Sequence, residues 1–225
     1  MNVPFTTEEF LGVFGSYNTA IWPMLIVAYL LGIAGVILAI RGGNPAGRIV
    51  YGVLAFFWLW MGVVYHIIYF SPVNPVARIF GAVFILQGFL FLVFGVLRGG
   101  LTFAFTPRTG PILGAVFVIY AMVVYPLLGL SLGHAYPELP MFGVAPCPTT
   151  IFTFGILLWS KNVIPWYFLI IPLLWSLVGM SAAINLGVPQ DYGLVVAGIL
   201  GTAMILMRNR RLTRPAGATA STPVS

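Results

Sequence analysis

Seven apolar runs, at residues 21–40, 49–70, 75–97, 111–133, 149–160, 163–186 and 191–207, leave this chain few folds to choose from. A bilayer's hydrocarbon core, about 30 Å thick, asks ~20 apolar residues of a helix that crosses it. Most of the runs contain about that many. Charged residues make up only 6% of the 225, against roughly 25% in soluble domains. Water will not carry so apolar a surface. The expected class is therefore all-α, a polytopic membrane bundle with the lipid bilayer as its first partner.

The fifth run is short, 12 residues, or ~18 Å of helix. It either crosses or folds back as a re-entrant segment, and charge discriminates between the two. Arg41 and Arg48 lie between runs one and two, Arg98 and Arg108 between three and four, and Lys161 between five and six; Arg208, Arg210, Arg211 and Arg214 follow run seven. Seven crossings put all nine on one side, which the positive-inside rule makes the cytoplasm. Without the fifth crossing the last four would face out. The expectation is seven transmembrane helices, with the N-terminus outside and the C-terminus cytoplasmic. The net charge of +6 then reports topology rather than a nucleic-acid partner. All four acids, Glu8, Glu9, Glu138 and Asp191, fall outside, with His134 and one base, Arg78, at the outer start of run three. His66 sits about a turn inside the outer end of run two. No ionisable residue falls at the centre of a run.

A short helix is expected before the first run. Thr6 and Glu9 have the spacing of a capping box, and Phe5 and Phe10 that of a hydrophobic staple. Phe10, Val13, Phe14 and Tyr17 share one face, so residues 1–20 read as an interfacial amphipathic helix lying on the bilayer. Residues 21–207 form the transmembrane domain. Residues 208–225 read as a basic stop segment and a disordered cytoplasmic tail, small and polar from Pro215 to Ser225. The first residues lack the basic start of a cleavable signal peptide.

Several stretches resemble a known family: Phe5-Thr-Thr-Glu-Glu-Phe-Leu, Tyr17-Asn-Thr-Ala-Ile-Trp-Pro23, Trp60-Met-Gly-Val-Val-Tyr-His66, Tyr125-Pro-Leu-Leu-Gly, Gly133-His-Ala-Tyr-Pro, Pro146-Cys-Pro-Thr-Thr-Ile-Phe-Thr-Phe-Gly and Gly187-Val-Pro-Gln-Asp191. Together they resemble the bacterial membrane family known only as domain of unknown function six-zero-six-four, over about residues 4 to 207. The resemblance implies a bacterial cytoplasmic membrane. Some members are labelled permeases, but the likeness brings no substrate, cofactor or catalytic residue with it.

These stretches coincide with the outer polar residues. The candidate outer vestibule is Tyr17, Asn18, Tyr65, His66, Arg78, His134, Cys147, Thr149, Thr150 and Asp191. Cys147 is the only cysteine, which excludes an intrachain disulfide and a multi-cysteine cage. Its two prolines fix the backbone and start a helix. One reading makes Pro146-Cys-Pro148 a helix start with a small buried thiol. The other makes the thiol a soft ligand or reactive group at a polar mouth, within reach of His66 or Tyr17. Thr149, Thr150 and Thr153 stand three or four apart and can bond to carbonyls or a neighbouring helix. No cofactor is expected; the alternative is a thiophilic metal such as copper or mercury on Cys147, His66, His134 and Met141, a set without a recognised spacing. Gln87 and Asn185 suit bonds to neighbouring helices. Arg78, against the charge rule, is expected to pair with Asp191, Glu138 or Glu8. Gly193, Ala197 and Gly201 form a small-residue stripe suited to helix packing or a homo-oligomer contact.

Phosphate loops and His-Glu-x-x-His are missing. Lys161, the only lysine, lies in an inner loop, which leaves no Schiff-base lysine for retinal. The leading expectation is a small permease or binding protein with a polar outer vestibule for a small-molecule ligand. A membrane enzyme or redox protein using Cys147 and His66 comes second, and a structural or accessory subunit third.

Overall fold

The computed structural model describes residues 5–214, Ala182 by its backbone only. Eight helices follow one another among the described residues: α1 (Thr7–Ala20), α2 (Trp22–Arg41), α3 (Asn44–Phe70), α4 (Ala77–Leu97), α5 (Thr109–Ser131), α6 (Pro146–Leu157), α7 (Tyr167–Leu186) and α8 (Pro189–Thr213). The only β-pairing among them is an isolated bridge between Phe103 and Ser160. Helices α2, α3, α4, α5, α7 and α8 are long and apolar enough to cross a membrane.

Local chemistry sets the helix ends. Thr6 and Glu9 form the capping box, with Glu9 N–H donating to Thr6 Oγ1 at 3.1 Å and Thr6 N–H to Glu9 Oε2 at 2.7 Å. Pro23, Pro45 and Pro146 occupy first-turn positions, where no amide donor is needed. Gly187 ends α7 in the left-handed region, at φ 64°. Three long helices widen into π-turns, at Met61–Phe70, Phe91–Leu97 and Tyr120–Val124. The last of these comes just before Pro126, which has no N–H to continue the regular ladder.

The short fifth run is the axis of the bundle. From Pro146 to Ser160 every residue except Cys147 is buried. A helix apolar on all sides belongs inside, and α5, α7 and α8 enclose this one. Gly114 of α5 and Gly155 of α6 meet back to back: a methyl on Gly155 would stand 2.8 Å from Gly114 O. The two ends of α6 meet opposite ends of α8. Its first turn faces Asp191, while Arg208 Nη1 donates to Leu157 O and Leu158 O, each at 3.1 Å. A cation on the terminal carbonyls offsets the negative end of the helix dipole.

That second end collects the bases. Lys161 N–H donates to Thr102 O at 2.9 Å, Thr102 N–H to Asn162 Oδ1 at 2.7 Å, and Arg48 lies against Gly99. The acids gather at the opposite end, where Glu138 lies against Gly15 of α1 and Asn18 of α1 donates to Pro137 O and Leu139 O at 2.7 and 2.8 Å.

Three expectations need correction. The apolar stripe of α1 does not face lipid. Phe10, Val13, Phe14 and Tyr17 are buried in the protein, because the rings of Tyr65, Tyr69 and Phe70 give this aromatic face a closer-packed partner. The stripe on α8 is also occupied within the chain. Gly193 lies against the Tyr120 ring and Gly201 against Phe154, and Ala197 is buried, so it offers a second copy no free face. Helix α8 runs past residue 207 to Thr213, carrying Arg208, Arg210 and Arg211 in helix. The tail from Pro215 to Ser225 lies outside the described residues.

Candidate functional site

A cavity of about 160 Å³ opens at the acidic end, under α1. Its walls come from seven helices. Helix α1 gives Phe10 and Phe14, α3 gives Tyr65 and Phe70, α4 gives Phe80, and α5 gives Tyr125. Helix α6 gives Cys147, α7 gives Trp175 and Ser181, and Asp191 comes from the 3-10 turn that opens α8. Phe5 and Asn74 complete the rim.

Asp191 is the chemical centre. It is 1% exposed, and Tyr125 Oη donates to its Oδ1 at 2.6 Å. The Cys147 thiol lies beside the carboxylate. Trp175 Nε1 approaches the sulfur from the other side without the geometry of a regular hydrogen bond. The helix-starting prolines thus aim the thiol inward, past Gly179 of α7, where even a methyl would lie only 3.9 Å from the sulfur.

The aromatic walls stack in order. Tyr65 lies parallel to Phe14 (5.1 Å between centroids, 20°) and to Phe70 (5.6 Å, 25°). Phe5 stacks on Phe10 at 6.0 Å and meets Phe70 edge-on at 5.4 Å, so the staple expected at the start of α1 also closes the cavity. Trp175 meets Phe80 and Phe84 edge-on, at 5.4 and 4.9 Å.

Of the expected vestibule residues, Tyr65, Cys147 and Asp191 line the cavity. Tyr17 and Asn18, on the buried face of α1, fasten the chain that leads into α6. Tyr17 Oη donates to Val144 O at 3.1 Å and accepts from Trp60 Nε1 at 2.8 Å; burial raises the phenol's pKa well above its ordinary value, so it stays a donor. Thr149 Oγ1 donates to Ala145 O at 2.7 Å and accepts from Gly143 N–H at 3.0 Å. Thr150 is buried without a partner. His134 and Met141 are half-buried in the loop before α6.

His66 is not on the cavity wall. It is fully buried, neither ring nitrogen has a partner among the described residues, and Phe84 and Trp175 pack on it at 4.6 and 5.2 Å. The thiol's polar neighbours are therefore Asp191 and Trp175, not His66 or Tyr17. The π-turn through Met61–Phe70 explains the difference, because it departs from the regular helical spacing by which the sequence places His66. Arg78 is exposed, while Asp191, one of the three carboxylates expected to pair with it, is enclosed with Tyr125. The described residues contain no group of three His, Cys, Asp or Glu side chains able to hold a metal. Gln87 and Asn185 make plain helix bonds, to Phe168 O across to α7 and to Ser181 O one turn back. Sequence reasoning passed over Trp175 and the role of Tyr125. The second had a signal, a tyrosine just before a proline in a stretch already singled out; the first had none.

A model described as a family of unknown function, DUF6064, matches residues 7–216. The chain belongs to that family. No curated protein and no solved structure matches it.

Proposed function

We propose that this DUF6064 protein is an integral membrane protein that crosses the bilayer seven times and binds a small molecule in the cavity under α1, as a binding protein or small permease. The two ends of α6 meet opposite ends of α8, which supports counting the short run as a crossing. The bases gathered at the Arg208 end support a cytoplasmic position for that end. The family resemblance supports a bacterial cytoplasmic membrane.

The observation that carries the binding role is the cavity itself. It is concave, mostly apolar and holds a few convergent polar groups around a buried carboxylate, the usual composition of a ligand site. Native mass spectrometry on gently purified protein tests it. The wild type should carry a bound small molecule. Ser181→Trp, at an exposed position on the cavity wall, should fill the space and release it. An adduct that survives in the variant, or no adduct in the wild type, refutes the reading.

A further inference from the structure

The lining limits what the cavity can hold. Only one of its groups is ionisable to a full charge near neutral pH, Asp191. The side chains acting on that carboxylate are Tyr125 and Cys147, and both are neutral donors. An ionised carboxylate enclosed without a counter-charge is expensive: it either takes up a proton or pairs with a cation, and the described residues that line the cavity supply no cation.

The remaining walls suit one kind of partner. Phe10, Phe14, Tyr65, Phe70, Phe80 and Trp175 surround the space, and aromatic faces carry negative electrostatic potential. An anion would meet Asp191 and those faces with no base to receive it. A hard metal ion needs about six or more oxygen ligands, and the described residues bring no three metal-binding side chains together. A weakly hydrated organic cation satisfies both features, pairing with the carboxylate and resting on the rings.

We propose that the cavity under α1 binds a small organic ammonium ion, with its charge held between Asp191 and the aromatic walls. This rests on the cavity being a ligand site. Tyr125 holds Oδ1 and so sets the carboxylate's direction. The volume of about 160 Å³ is close to that of cavities known to hold benzene, so the ligand has on the order of six to ten heavy atoms. Phe5, Phe10 and Phe14 close the space on the α1 side, which gives the capped N-terminal helix a role as cover.

Two probe pairs of matched shape isolate the charge: choline against 3,3-dimethylbutan-1-ol, and benzylammonium against benzyl alcohol. Binding is read by calorimetry and by Trp175 fluorescence on the full chain in lipid nanodiscs. At least one cation should bind 10-fold or more tighter than its neutral partner. Asp191→Asn should lower the cation's affinity to that of the neutral partner and leave the latter's unchanged. If Asp191→Asn does not fold, Phe14→Leu should weaken the cation more than its partner, and the wild-type ratio decides by itself. Equal affinities within both pairs overturn the ammonium assignment and leave the ligand site standing. No binding by any of the four overturns the ammonium assignment, while the ligand site itself stands or falls on the adduct seen by native mass spectrometry.

Discussion

Replacing Gly155 by alanine tests whether α6 is held by direct backbone contact with α5. An added methyl would meet Gly114 O at 2.8 Å, Val118 Cγ2 at 2.8 Å and Val118 N at 3.1 Å, whereas ordinary contact begins at 3.4 Å. The helices must therefore part by about 3.4 − 2.8 = 0.6 Å. Two of the three obstacles are backbone atoms of α5, which no rotamer change can move aside. A gap of 0.5–1 Å forfeits roughly a quarter to a half of each dispersion contact along the seam, and overpacking of this kind costs about 1–3 kcal/mol. Alanine's better helix propensity returns ~1 kcal/mol, so the net loss is up to about 2 kcal/mol. Gly12→Ala is the control: it sits inside α1 with nothing within 4 Å of the added methyl, and propensity alone should stabilise it by up to ~1 kcal/mol. Reversible unfolding in mixed micelles, titrated with dodecyl sulfate and followed by tryptophan fluorescence, should move the two midpoints in opposite directions. A Gly155→Ala protein as stable as Gly12→Ala would refute the close α5–α6 approach.

Topology is open to cysteine accessibility in a Cys147→Ser background. Single cysteines at Gly43, Gly100 and Arg210 should be shielded from an impermeant reagent added outside, and those at Pro72 and Ala135 should react; labelling of position 210 from outside would overturn seven crossings. Arg78→Ala should change stability by no more than about 0.5 kcal/mol, as at other exposed positions, and a loss several times larger would mean that Arg78 has a desolvated partner after all. Cys147 should react slowly with a small neutral thiol reagent, scarcely with a bulky charged one, and more slowly still in Ser181→Trp. Equal rates in wild type and Ser181→Trp, followed by mass spectrometry, would place the thiol outside the cavity.

The helices and their ends were legible because hydropathy and end chemistry act locally. Apolar length located the runs, Thr6 with Glu9 located the start of α1, and the clustered bases located one end of the bundle. The neighbours of Cys147 were not legible in the same way. They come from α5, α7 and α8, and no periodicity within one helix says which face of another it will meet. His66 shows the local limit, since a π-turn rotates everything beyond it and leaves no mark in a run that is apolar throughout. Arg78 and Asp191 show the electrostatic limit. Their charges made them one possible pair, but Arg78 stays exposed while the enclosed Asp191 takes the Tyr125 hydroxyl as its donor.

The enclosed position of α6 also constrains how the protein is made. Its 12 residues span ~18 Å, too little to hold a place across ~30 Å of hydrocarbon unaided, and its terminal carbonyls at Leu157 and Leu158 find Arg208 only once α8 exists. Those neighbours include α7 and α8, which leave the ribosome after it. The fifth segment must therefore wait, loosely held against α5, until the last two helices arrive to wall it in. Arg208, close to the end of α8, bonds its final carbonyls. A nascent chain stopped before α7 would expose Pro146-Cys-Pro148 and its threonines to lipid, the state that membrane quality control is built to recognise.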